Sequence, residues 1–364
     1  MKPLYIAGTK RNAGKTTLSI GLLRSFRRRG LSVAYTKPLG QRAKKSGGRF
    51  IHDDAKVVAQ ILGQRSEDQI EMAVPLPSGR VEKEVFDLHT DELIAGVRQG
   101  CRTLQGRHDI VIVESMGHVA AGSCLGLSAA DVARSIEAKV LLISGGGIGS
   151  AIDDISLCGR FITAGGADLM GVIVNKVWPE KYTRVKAATT RGLKNLGIRS
   201  FGTVPYEEIL ASPTVGQVAE QLDSEILCGA AGLDNRVGKI LIAAMEPDHM
   251  VPYLEDRALV ITPGDRSGNV LAILATHMLS RGAESPVSGV ILTGGFRPAQ
   301  WVVDLLAGSR LPVILCSDDT YTVAAELHRK VFKITPDDKE RIESAPTLVS
   351  QHVDTDGILE SLGG

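Results

Sequence analysis

The chain has 364 residues, which is long enough for two average domains. It is 43% hydrophobic and 23% charged and contains 40 glycines, a composition typical of a soluble α/β protein with many tight turns. A formal net charge of +1 provides no global field for nucleic acid or an anionic membrane, and we expect neither as a partner.

We expect no targeting signal in this sequence. The first apolar run, residues 4–7, is too short for a signal peptide, and no later stretch approaches the roughly 18 apolar residues of a membrane-spanning helix. The five cysteines are scattered and include no CxxC pair, which favours reduced and mostly buried thiols. We therefore expect a cytoplasmic protein.

Short apolar strands alternate with amphipathic helices in the first part of the chain. The pattern predicts a buried strand at 4–7 and then a helix over 16–29 that Gly30 ends. Residues 65–90 show little periodicity and are predicted to be irregular. Further predicted strands lie at 31–36, 109–114, 139–144, 171–175 and 201–204. This alternation is typical of βα units in a mostly parallel sheet.

The alternation restarts beyond residues 222–237, a stretch of Gly, Ala and polar residues that is the candidate domain boundary. A helix is expected just before it, with Ser212 as its N-cap. The later predicted strands are 239–244, 258–262, 289–293 and 312–317, with helices at about 269–281, 298–307 and 321–330. The sequence therefore predicts an α/β protein in which a second, smaller α/β domain follows the first.

A glycine-rich segment, residues 8–17, directly follows the first strand and reads GTKRNAGKTT. It resembles the phosphate-binding pattern G-x-x-x-x-G-K-[ST], except that five residues rather than four separate the glycines and Thr9 takes the usual glycine position. Backbone N–H groups and the N-terminus of the following helix supply partial positive charge for phosphates. The residues expected to contact a nucleotide here are Gly8, Thr9, Asn12, Ala13, Gly14, Lys15, Thr16 and Thr17.

Charged residues at other strand ends complete this predicted P-loop site. Lys15 is expected to reach the β- and γ-phosphates, and the Thr16 hydroxyl to bind Mg²⁺. Glu114 and Asp54 follow predicted strands at the carboxyl edge of the sheet, where they can support the metal. For Asp54 the alternative is an acid that serves only a helix dipole. Lys37 is placed to contact the γ-phosphate or an acidic substrate, or else is a solvated lysine.

The base preference is suggested by the segment 175–178, Asn-Lys-Val-Trp. It is similar to the Asn-Lys-x-Asp element with which GTPases read guanine, but Trp178 replaces the aspartate that accepts the guanine hydrogens. Asn175 can still pair with N6 and N7 of adenine. ATP is therefore favoured over GTP.

Taken in order, these motifs resemble those of dethiobiotin synthetases and the related cobyrinic acid a,c-diamide synthases. The resemblance covers about residues 1–225 and implies an ATP-binding domain with ATP and Mg²⁺ as cofactors. It also implies that Asn175 and Pro205 belong to the nucleotide site, and that Thr16, Asp54 and Glu114 hold the metal. The segments that carry it are Gly8-Thr9, Gly14-Lys15-Thr16, Lys37-Pro38, Asp54-Ala55, Val113-Glu114, Gly146 to Ser150, Asn175 and Pro205.

The remainder, residues 226–364, is similar to the DRTGG domain. The matching segments are 262–268 (TPGDRSG), 292–296 (LTGGF), 319–322 (DTYT) and 334–338 (ITPDD). The two parts together resemble the N-terminal, regulatory half of long phosphate acetyltransferases. The acyltransferase domain of that family has no room in this length, so acetyl transfer is not expected. The resemblance implies a homodimer.

Two functions are compatible with these patterns. Glu114 is followed by Ser-Met-Gly-His instead of the family's Gly-Ala-Gly-Gly, so the nucleotide and metal residues carry over while the diamine-substrate site does not. The first function is a nucleotide-dependent regulatory module that senses a metabolite or engages a partner enzyme. A small anion at Arg266 is one candidate ligand. The alternative is an ATP-dependent ligase that activates a carboxylate as an acyl phosphate, with Lys15 and Lys37 as catalytic residues.

Overall fold

The computed structural model describes residues 1–40, 43–46, 49–63, 74–75, 78–87, 89–280 and 285–363. The chain forms two compact units, one made of Met1–Glu207 and Ile334–Gly364, the other of Glu208–Lys333. This division differs from the predicted domains 1–225 and 226–364 in two respects: the second unit begins at Glu208, and the C-terminal segment belongs to the first unit.

The first unit is built mainly from βα repeats, as the apolar periodicity predicts. Its elements up to residue 207 are β1 (Leu4–Gly8), α1 (Lys15–Arg28), β2 (Val33–Thr36), β3 (Leu39–Gly40), β4 (Ala43–Ser46), β5 (Arg49–His52), α2 (Asp53–Ile61), β6 (Val74–Pro75), α3 (Ser78–Phe86), α4 (Thr90–Gln105), β7 (Ile110–Glu114), α5 (Ala129–Ser135), β8 (Lys139–Gly145), α6 (Gly149–Ala164), β9 (Asp168–Val177), α7 (Tyr182–Asn195) and β10 (Ser200–Pro205).

Six of these strands form a parallel sheet in the order β10-β9-β8-β1-β7-β2. β1 lies inside the sheet, so the loop that follows it opens between the ends of β7 and β8. Side chains alternate between the two faces. On β7, Val111 and Val113 join the core beneath α4, α5 and α6, while Glu114 points to the opposite face, towards α1. This alternation brings a carboxylate beside the first turn of α1.

The second unit contains a five-stranded mixed sheet. Its order is β11-β15-β14-β13-β12, in which β11 is antiparallel to β15 and the other pairs are parallel. Apolar clusters fill both faces of this sheet. Its elements are α8 (Glu208–Ala211), α9 (Val215–Gln221), β11 (Glu225–Cys228), β12 (Lys239–Ile242), α10 (Pro247–Met250), β13 (Ala258–Pro263), α11 (Ser267–Leu279), β14 (Val287–Thr293), α12 (Gln300–Ala307), β15 (Val313–Leu315) and α13 (Thr320–Arg329).

Two helices return to the first unit: α14 (Lys339–His352) and α15 (Thr355–Gly363). α14 packs on α1 at Gly21, where an added Cβ would lie 2.4 Å from Cγ2 of Val349 and 2.7 Å from the carbonyl of Ala345. A backbone bridge between Gly202 and Val353 attaches the end of α14 to β10. The C-terminal segment is therefore a structural part of the first unit.

Several predicted elements differ from the structure. Part of the region predicted to be irregular forms β6 and α3, while residues 64–73, 76–77 and 88 lie outside the described residues. The N-cap of α9 is Thr214, not Ser212, and its hydroxyl forms a capping box with Gln217. Within the described ranges, no helix combines the length and the apolar character needed to cross a bilayer.

Candidate functional site

The loop between β1 and α1 has a backbone suited to anions. Gly14 precedes α1 in the left-handed conformation, with φ of 93°, and Asn12 is also left-handed, with φ of 60°. The N-cap residue Gly14 has no side chain with which to cap the helix. Backbone N–H groups of the first turn are therefore directed at the loop, where a phosphate can accept their hydrogen bonds.

Two side chains at the end of β9 donate hydrogen bonds to backbone carbonyls of this loop. The Asn175 amide donates to the carbonyl of Ala13 at 2.9 Å, and Lys176 Nζ donates to the carbonyl of Asn12 at 2.8 Å. A Cβ added to Gly14 would lie 2.2 Å from Asn175 Nδ2, so only glycine fits at that position. Asn175 is thus seen to hold the loop, and its predicted contact with adenine stays a prediction.

Lys15 is buried at the start of α1. Its Nζ donates a hydrogen bond of 2.6 Å to the carbonyl of Gly117. Burial lowers the pKa of Lys15, the charge of Lys37 lowers it further, and Glu114 and Asp54 act in the opposite direction. Its hydrogen-bond partner is a neutral carbonyl rather than a carboxylate, so the ammonium charge is available to neutralise an anion that enters the loop.

Glu114 is the centre of a buried hydrogen-bond network, with 1% of its surface exposed. Its Oε1 accepts from the Thr16 hydroxyl at 3.0 Å and from Lys37 Nζ at 3.2 Å. Its Oε2 accepts from the Tyr35 hydroxyl at 2.8 Å and from the Ser19 hydroxyl at 3.4 Å. One carboxylate oxygen therefore faces the loop, while the other is anchored in the protein.

Lys37 connects Glu114 to Asp54. Its Nζ lies 2.5 Å from Asp54 Oδ2 as well as 3.2 Å from Glu114 Oε1, and the three side chains are buried. Burial alone would lower the pKa of Lys37, but the charges and hydrogen bonds of Glu114 and Asp54 raise it well above its ordinary value. The alternative of a solvated lysine is therefore wrong.

Asp54 lies in the first turn of α2. The N-cap of this helix is His52, whose Nδ1 accepts a hydrogen bond from the backbone N–H of Asp54 at 3.1 Å. The carboxylate nevertheless points at Lys37. The alternative in which Asp54 serves only the helix dipole does not account for this contact.

The structure brings together the residues with predicted charged roles and leaves others apart. Thr16 and Glu114 are in direct contact, and Lys37 connects Glu114 to Asp54. Pro205 ends β10, which is three strands from β1 and thus roughly 14 Å across the sheet. In the second unit, Arg266 precedes α11 and lies 3.7 Å from the carboxylate of Glu246. The ligand roles of Pro205, Thr17 and Arg266 stay predictions.

Sequence reasoning missed two polar side chains of this site, Tyr35 and Ser19. Both are fully buried and contact Glu114. In the sequence, each could have been recognised as a polar group on an otherwise apolar surface. Ser19 follows Thr16 by about one turn of α1. Tyr35 lies beside Ile112 and, by strand alternation, on the same sheet face as Glu114. Ser115 was missed as well; its buried hydroxyl has no partner among the described residues.

The available groups fit a nucleotide with a hard divalent cation. A Cβ on Gly8 would lie 3.2 Å from Lys15 Nζ, so the missing side chain leaves that ammonium accessible from the loop. A hydroxyl and two carboxylates, from Thr16, Asp54 and Glu114, are the oxygen ligands that Mg²⁺ accepts. Across the described part of the chain, no three His, Cys, Asp or Glu side chains are grouped as a metal site, so this set would need ligands from phosphate or water.

Two known domain families match the chain. The profile of a family described as "AAA domain" matches residues 2–214, more than half of the chain. A second profile, described as "DRTGG domain", matches residues 217–330. The two matched segments adjoin each other, and their boundary falls near the start of the second structural unit.

Similar curated proteins are phosphate acetyltransferases. That of Pseudomonas putida is 29% identical over 368 residues, which cover 97% of this chain and 51% of the relative. That of Nitrosomonas europaea is 27% identical over 379 residues, which cover 100% of this chain and 52% of the relative. The chain thus spans about half the length of the curated relatives it matches.

Among solved structures, the MinC:MinD cell division protein complex of Aquifex aeolicus aligns with 58% of this chain and 84% of that chain. The identity is 16% and the TM-score is 0.39, which is too low to support an argument about function.

Proposed function

Because this chain belongs to the family of P-loop AAA domains and carries a DRTGG domain after it, we propose that it is an ATP- and Mg²⁺-binding regulatory protein. In this proposal, occupancy of the loop 8–17 by ATP controls a module that senses a metabolite or engages a partner enzyme. A homodimer in the cytoplasm is part of the same proposal.

One observation carries the nucleotide part of the proposal. Lys15, Lys37 and the Thr16–Glu114 pair surround the uncapped N-terminus of α1. Lys15 and Lys37 would neutralise phosphate oxygens, while Thr16, Glu114 and Asp54 would hold the cation. Bound magnesium would add positive charge next to the phosphates. The adenine preference rests on Asn175 together with Trp178, which stands where a guanine-reading aspartate would be needed.

The regulatory part rests on three features. The residues predicted to bind the nucleotide are all present in the sequence, the segment after Glu114 departs from the substrate loop of the ligases, and a DRTGG domain is present. Relatives of about twice the length are phosphate acetyltransferases, so an enzyme of that class is the kind of partner we propose.

A second candidate function is an ATP-dependent ligase that activates a carboxylate as an acyl phosphate. The observation in its favour is the position of Lys37, which could bring positive charge to both a γ-phosphate and an acidic substrate. Charge neutralisation and positioning would then supply the rate, without a covalent nucleophile from the protein.

Nucleotide binding is tested by titrating ATP, ADP and GTP against the full chain, with Mg²⁺ and with EDTA. We expect ATP with Mg²⁺ to bind most tightly, and Lys15→Ala to weaken it by at least about 100-fold, the loss of a buried charge contact to phosphate. The matched control is Lys139→Ala, because Lys139 is the first residue of β8 and lies at the end of that strand away from the loop. Equal affinity of wild type and Lys15→Ala would refute the proposed site.

ADP release in the presence of candidate acids, amines and bicarbonate separates the two functions. The regulatory protein should show only slow, substrate-independent hydrolysis. Turnover that depends on one of these substrates and exceeds about 1 s⁻¹, a low but ordinary enzyme rate, would instead establish the ligase.

A further inference from the structure

Lys37 makes the contacts that a divalent cation would make with the carboxylate pair. Its Nζ lies 2.5 Å from Asp54 Oδ2 and 3.2 Å from Glu114 Oε1. The second of these oxygens is also the one that accepts the hydrogen bond of Thr16. The ammonium therefore contacts both carboxylates and shares an acceptor oxygen with the hydroxyl, and these are the three groups proposed to hold the metal.

This ammonium forms ion pairs with both carboxylates at a buried site. The side chains of Lys37, Asp54 and Glu114 are 11%, 6% and 1% exposed, and separated charges at such a site would be poorly solvated. Breaking the two ion pairs without replacement would remove a positive charge that contacts both buried carboxylates. A free metal ion that approaches the pair must therefore displace or face a positive charge already in contact with it.

We infer that Lys37 is the resident counter-cation of the Asp54–Glu114 pair and excludes a divalent metal until a nucleotide is bound. Phosphates supply negative charge to which the Lys37 ammonium can turn, and the carboxylate oxygens are then available to the metal. This inference rests on the proposed nucleotide site and adds an order to it: the metal is accepted with the nucleotide, and not before it.

Lys15 provides a matched comparison. It is a second buried ammonium at the same loop, but its Nζ donates to the carbonyl of Gly117 and not to a carboxylate. A general effect of positive charge on metal binding would be relieved by neutralising either lysine. An effect of direct contact would be relieved only at Lys37.

The test is a titration of the nucleotide-free full chain with Mn²⁺ alone. Binding is measured as the loss of the EPR signal of the free Mn²⁺ ion. Wild type should bind no Mn²⁺ at this site below about 1 mM, and Lys37→Met should bind it at least about 10-fold more tightly. Lys15→Met should behave as wild type. Lys37→Arg, which keeps the charge, should also exclude the metal.

Each contrary result overturns the inference. The inference is wrong if the wild-type protein binds Mn²⁺ at this site below about 1 mM without nucleotide. This measurement does not depend on whether a variant folds. A folded Lys37→Met protein with no gain, or an equal gain in Lys15→Met, overturns the inference as well.

Failure of the proposed function has a different signature. In that case wild type binds no ATP in the presence of Mg²⁺, whatever the Mn²⁺ titrations show. Conversely, Mg²⁺-dependent ATP binding together with wild-type capture of free Mn²⁺ would preserve the proposed function and remove only the role of Lys37.

Discussion

The hydroxyl of Tyr35 donates a 2.8 Å hydrogen bond to Oε2 of Glu114, and neither side chain has more than 1% of its surface exposed. The contact joins the ends of β2 and β7 and orients the other oxygen of Glu114 towards Thr16 and Lys37. Tyr35 is thus a positioning residue for the proposed metal ligand.

Tyr35→Phe tests this positioning. The change removes one hydrogen bond to a buried carboxylate, which should cost about 1.5–3 kcal/mol of folding free energy. It should also weaken nucleotide binding several-fold with Mg²⁺ but not with EDTA. The control is Tyr182→Phe, which removes a hydroxyl that donates to the carbonyl of Thr203. Equal losses of affinity in Mg²⁺ and EDTA would show that Tyr35 does not act through the metal.

Gly14→Ala should damage the loop through two separable effects. A left-handed alanine costs about 1–2 kcal/mol, and the new Cβ would also collide with the Asn175 amide. Gly30→Ala is the matched control, because Gly30 is left-handed too, with φ of 81°, but has open space at its Cβ. We expect similar losses of thermal stability from backbone strain but a loss of ATP affinity only in Gly14→Ala. Unchanged affinity in Gly14→Ala would argue against a rigid phosphate loop.

Gly21→Ala should destabilise the first unit, because α14 leaves no room for a methyl group there. Overpacking of this kind costs typically about 1–3 kcal/mol. Gly149→Ala, at a helical glycine with nothing within 4 Å of its Cβ, should be neutral or slightly stabilising. Chemical denaturation of both variants measures the difference. A stable Gly21→Ala protein would show that α14 can shift on α1.

Stability should decrease as the pH falls below about 6.5, in part because of His352. Burial lowers the pKa of His352, and so does the charge of Lys186, against an opposing effect of Glu207. A depressed pKa means that the unfolded chain binds more protons in this range, so the stabilising effect is present above 6.5 and is lost towards the lower folded value.

His352→Gln should reduce this pH dependence. The variant removes the titrating group but keeps a polar side chain near the Tyr182 hydroxyl, which lies 3.0 Å from His352 Nδ1. Thermal melts between pH 5 and 8 provide the measurement. If wild type and variant lose stability in parallel, other groups are responsible for the effect.

The loop and the charged residues were predictable because each has a local signal. The Gly14-Lys15-Thr16 motif follows an apolar strand, and Glu114 ends another. Membership of the two families and the α/β class were predicted correctly from such segments. What the motifs cannot give is pairing in space, such as the contact of Lys37 with both carboxylates.

The missed parts have signals that are weak or non-local. Tyr35 is an ordinary strand residue until its hydroxyl is known to meet Glu114. α14 carries Pro346 within the helix and mixes polar with apolar residues, and its packing surface lies more than 300 residues away on α1. Periodicity alone could not assign this helix to the first unit, and the prediction of one continuous second domain over residues 226–364 follows from that.

The return of α14 to α1 also has a practical consequence for dissecting the protein. A fragment that stops at residue 225 would lack α14, which packs on the helix that begins with Lys15. The surface around Gly21 would then be exposed to solvent. Such a fragment should aggregate and be judged inactive for the wrong reason. Excision of 208–333 with the two flanks rejoined is the shortening that respects how the chain is folded.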